Sequence, residues 1–75
     1  MDRALLEQHL VLAERHIAGG EQCVARQREI IVRLERVGLG ASETAIFARG
    51  LLRDMEATLS GARVERKRLQ AQLRG

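Results

Sequence analysis

The chain has 75 residues, 45% hydrophobic and 31% charged, with no proline, tryptophan or tyrosine, one phenylalanine, one cysteine and a formal net charge of +3. That length holds one domain, and an apolar mass lodged almost wholly in Leu, Ile, Val and Ala points to long helices or a coiled coil rather than a mixed globule. A lone cysteine excludes an internal disulfide framework and suits a reducing cytoplasm, no apolar run approaches the ~20 residues that span a bilayer, and two helices leave little room for a water-excluding catalytic pocket.

From Asp2 to Val37 only the pair Gly19-Gly20 argues against one continuous helix, each glycine costing about 1 kcal/mol relative to alanine in a helix interior. The N-terminal residues lack the uninterrupted apolar stretch of a signal peptide. The stop falls at Val37-Gly38-Leu39-Gly40-Ala41-Ser42. Gly38 suits the left-handed position after a helix, and Leu39 can fold back on the last turn. Ser42 is the expected N-cap of a second helix, with Thr44 as its competitor and Glu43 favourably placed for the helix dipole. The expected elements are therefore a first helix over about 2–37, a turn at 38–42 and a second helix over about 43–73, in a single domain covering residues 1–75.

Apolar residues at alternating three- and four-residue spacing mark one seam on each helix. On the first the seam is Leu6, Leu10, Ala13, Ile17, Gly20, Val24, Gln27, Ile31 and Leu34; on the second it is Ala45, Ala48, Leu52, Met55, Leu59, Ala62, Arg66, Leu69 and Leu73. Folding the chain back at the turn sets Leu34 against Ala45 and Leu6 against Leu73, and several layers between them oppose a large residue to a small one. The fold class is thus all-α: an antiparallel, coiled-coil-like two-helix hairpin. Gln27 and Arg66 interrupt the seam. The first fits a register-setting polar layer, and the second fits a side chain that snorkels toward Glu14 or Glu65.

The first helix carries more apolar surface than one seam uses. Leu5, Leu12, Ile30 and Val37 lie beside it, and His9, His16 and Cys23 continue the flank at intervals of seven. Phe47 and Leu51 extend the equivalent flank of the second helix. So broad an apolar arc suits a bundle helix with two neighbours. These nine residues are the expected oligomer interface, closing two hairpins into a homodimeric four-helix bundle, with docking of another protein's helix as the rival. Cys23 reads as a small buried hydrophobe.

The chemistry-bearing candidates are few. His9, His16 and Cys23 share a face but succeed one another at about 10 Å along the axis, too far apart for one zinc, so no metal or other cofactor is expected. No nucleophile–base pair or paired-carboxylate cleft is present, and a non-enzyme is expected. Charge is polarised: residues 1–25 hold four acids and two bases, the remainder eleven bases and six acids. Arg63, Arg66, Lys67, Arg68 and Arg74 form the candidate nucleic-acid contact, although Glu65 interrupts the run and no stacking aromatics accompany it. A membrane-surface role is not expected, since the basic segment lacks a bulky apolar face.

The stretches Ala13–Glu21, Val24–Ile31 with Leu34-Glu35, and Leu51–Leu59 resemble a group of short uncharacterised helical-hairpin proteins of bacteria, many of them alphaproteobacterial. The turn departs from that group, where a more polar loop is expected. The resemblance implies a bacterial cytoplasmic setting and a hairpin, and it carries over no activity or site residue. The expected function is a small structural or protein-interaction module that self-associates and docks a partner helix. The alternatives are a nucleic-acid-associated regulator, and a chaperone- or antitoxin-like binder of a cognate protein.

Overall fold

The computed structural model describes residues 2–75. Two helices, α1 (Arg3–Arg36) and α2 (Glu43–Arg74), form an antiparallel hairpin, a rod of 53 × 14 × 13 Å. Its radius of gyration is 16.7 Å, against about 11 Å for a compact domain of this length. Each end of the chain path is fixed by local chemistry. The Asp2 carboxylate caps α1, accepting from the Ala4 N–H at 3.3 Å. Ser42, not Thr44, caps α2: its Oγ accepts from the Ala45 N–H at 3.1 Å and donates to the Leu39 carbonyl at 2.6 Å.

The turn is a Schellman motif. Gly38 adopts φ 80°, the one positive φ among the described residues, which a side chain would resist. That conformation returns the Gly38 N–H to the Glu35 carbonyl at 3.1 Å and the Leu39 N–H to the Leu34 carbonyl at 2.8 Å. Carbonyls left open at the end of α1 are thereby satisfied. Arg49 then braces the turn from α2, donating Nη1 to the Gly40 carbonyl at 2.7 Å and Nη2 to Glu35 at 3.3 Å.

The expected seam is the observed core. Leu6, Ala13, Ile17, Val24, Gln27 and Ile31 of α1 are buried, as are Ala45, Ala48, Leu59 and Leu69 of α2; the remaining seam residues are half-buried. Toward the open end Leu6, Ala13 and Leu69 cluster with Leu10 and Leu73. In the middle Ile17, Val24 and Leu59 cluster with Leu52, Met55 and Ala62. α1 runs unbroken through Gly19-Gly20, and the two glycines do different things. A Cβ at Gly20 would lie 3.2 Å from Leu59 Cδ1, whereas one at Gly19 would meet nothing within 4 Å. Gly20 lets α2 close in.

Two expectations need correction. Cys23 is exposed rather than buried, because it lies on the flank outside the seam. Arg66 is half-buried but makes no ion pair with Glu14 or Glu65; Glu65 is taken instead by Arg68, three residues on, at 3.2 Å. Gln27 is buried in the seam as expected, its amide donating to the Ala48 carbonyl of α2 at 2.9 Å.

Candidate protein-interaction surface

The two sides of the seam differ in kind. On one side Glu21, Arg28 and Glu35 recur every seven residues along α1, facing Arg63, Glu56 and Arg49 of α2. The pairs are closed at 3.1 Å (Arg63–Glu21), 2.8 Å (Arg28–Glu56) and 3.3 Å (Arg49–Glu35). Their signs alternate along each helix, so a slip of one heptad would oppose like charges. Such exposed pairs add little stability, about 0–1 kcal/mol each, but they seal this side of the rod and favour one register.

The opposite side has no such ladder. His9, His16, Cys23 and Ile30 run along it on α1, with Leu5 and Leu12 beside them and Val37 at the C-cap, and Leu51 and Phe47 face them from α2. All nine are exposed, Leu12 by 50% and Phe47 by 69%. At mid-length the missing side chains of Gly19 and Gly20 lower the α1 wall. The notch opens into a groove of about 580 Å³, floored by Met55, Leu59 and Ala62 and walled by His16, Cys23, Leu51 and Thr58. Arg15 and Asp54 are the charged residues that border it.

Of the expected interface, His16, Cys23 and Leu51 are brought together at this groove. Leu5, His9 and Leu12 lie toward the open end, and Ile30, Val37 and Phe47 toward the turn. Leu39 and Ile46 are further exposed apolar residues, 49% and 62% accessible, at the turn end. Their signal was available in the sequence: both lie at the turn and neither belongs to the seam. Val11, Val32 and Val64 are also exposed, scattered away from the groove.

The basic run at the end of α2 does not form one face. Arg63 is held by Glu21 and Arg68 by Glu65, and Arg66 turns into the seam. Lys67 and Arg74 make no ion pair among the described residues. His9, His16 and Cys23 stand in line one heptad apart, and among the described residues no three of His, Cys, Asp and Glu are gathered closely enough to hold a metal ion. Among the described residues no helix is long and apolar enough to cross a membrane.

No family model, curated protein or solved structure matches the chain.

Proposed function

We propose that the chain is a non-catalytic protein-interaction module that self-associates through its apolar flank, two hairpins closing into a four-helix bundle. The observation that carries this reading is the uncovered flank. The hairpin exposes 5683 Å², whereas a compact protein of 8.4 kDa exposes about 4,600 Å². Contiguous apolar surface rimmed by polar residues marks association sites. Bacterial cytoplasm belongs to the same proposal, following the resemblance and the exposed lone thiol, which an oxidising compartment would cross-link.

Sedimentation equilibrium tests the proposal. The expected mass is twice 8.4 kDa, with Ile30→Glu shifting it toward the single chain while helicity is retained. A folded wild-type monomer over the accessible concentration range would overturn it. The flank then falls to a partner helix seated in the groove.

A nucleic-acid-associated role is the second reading, supported by Lys67 and Arg74, which make no ion pair among the described residues. DNA or RNA retention that falls steeply with salt favours it; no retention at low salt removes it.

A further inference from the structure

We infer that the second copy lies antiparallel across the apolar flank, α1 against α1, with the Gly19 positions near the two-fold axis. Leu5 and Leu12 of each hairpin then cover Ile30, Val37 and Phe47 of the other. The inference rests on the self-association proposed above and adds its partner geometry.

Area argues for a second copy as the occupant. Two separate chains, each exposing 5683 Å², exceed by about 3,700 Å² the roughly 7,700 Å² of a compact protein of twice the mass. That difference falls within the range of obligate homodimers, whereas a single docked helix has less surface to offer.

The distribution of residues sets the direction. A two-fold interface must complement itself. This flank is apolar at both ends and small in the middle, where Gly19 faces open space. Gly61 also meets nothing within 4 Å and lies on the same side of α2 as Asp54, seven residues before it. A helix-interior glycine destabilises its own helix, and a crossing helix gives both positions a use. Charge agrees. The open half of the rod (residues 2–20 and 59–75) holds seven bases and four acids, and the turn half (21–58) holds six of each. Parallel packing sets the basic surplus against itself; antiparallel packing sets it against a neutral half.

Nitroxide labels read the geometry. In a Cys23→Ser background, Ala41→Cys at the turn and Ala4→Cys at the open end are labelled separately, and spin–spin distances are measured alongside the mass. Antiparallel packing about Gly19 places each label about 40–60 Å from its mate, from the rise per residue. Distances below about 25 Å at both sites mean parallel packing, and a short distance at Ala41 alone means tip-to-tip docking; either overturns the orientation and leaves self-association standing. A mass of 8.4 kDa overturns both. Gly19→Leu is expected to weaken dimerisation at least ~10-fold with the hairpin still folded, leucine being a better helix former than glycine. Ala25→Leu, on the ion-pair side of the rod beside Glu21 and Arg28, leaves dimerisation unchanged. Unaltered dimerisation of Gly19→Leu overturns the placement of the axis.

Discussion

Gln27 donates its side-chain amide to the backbone carbonyl of Ala48 at 2.9 Å, tying α1 to α2 across an otherwise apolar part of the seam. It is the one buried polar side chain among the described residues, 8% exposed, and no buried side-chain nitrogen or oxygen there lacks a partner. Polar layers of this kind specify register more than they stabilise.

Gln27→Leu is expected to change unfolding free energy by no more than about 1 kcal/mol, because the lost hydrogen bond is offset by apolar burial. Gln27→Glu behaves differently. The new carboxylate is buried against a carbonyl oxygen, so its folded-state pKa lies above the unfolded value of about 4.3. The unfolded state then holds fewer protons, and the variant loses stability as pH rises through that window. Urea melts at pH 4 and pH 7 check this; equal deficits at both pH values would refute it.

The ion-pair flank separates two kinds of arginine. Arg28→Ala removes an exposed pair and is expected to cost less than about 1 kcal/mol, fading in high salt. Arg49→Ala also releases the Gly40 carbonyl at the turn, and about 1 kcal/mol of its cost should survive high salt. Chemical denaturation in low and high salt, with urea as denaturant, resolves the two.

Glycine-to-alanine changes have signs that backbone geometry decides. Gly50→Ala, with open space at its Cβ position, is expected to stabilise by about 1 kcal/mol through helix propensity. Gly38→Ala, at φ 80°, is expected to destabilise by about 1–2 kcal/mol, the cost of a left-handed conformation in a residue with a Cβ. Gly20→Ala falls between, since its gain in propensity is offset by displacement of Leu59. Thermal melts at matched protein concentration rank the three.

Ser42→Ala removes the cap of α2 and its bond to the Leu39 carbonyl, and is expected to cost about 1 kcal/mol. Asp2→Ala, whose capping bond is longer and exposed, should cost only a few tenths. Circular dichroism during thermal unfolding distinguishes them.

The hairpin was legible because one period runs through it. Leu6 to Leu34 and Ala45 to Leu73 keep heptad spacing without a break, and Gly38 and Ser42 mark the turn by backbone chemistry that acts locally. Cys23 is exposed in the single hairpin for a related reason: it lies one step off the seam, where residue type alone does not reveal whether a neighbour covers it. The partner of Arg66 was not legible either, because Glu65 has a nearer claimant in Arg68. Nor did spacing distinguish the tasks of Gly19 and Gly20; only the position of Leu59 does.

The cross-helix ties link residues 14 apart (Glu35–Arg49), 21 apart (Gln27 to the Ala48 carbonyl), 28 apart (Arg28–Glu56), 42 apart (Glu21–Arg63) and 70 apart (Arg3 to the Leu73 carbonyl). Each doubling of a closed loop costs about 0.6 kcal/mol in chain entropy, so the hairpin zips from its turn and opens from its termini. Amide hydrogen exchange should therefore be graded along the rod. Amides near the turn exchange most slowly and those around Leu6 and Leu69 most quickly in the single chain. A second copy lying antiparallel would flatten that gradient, because each slow-opening turn end would clamp its neighbour's loose one.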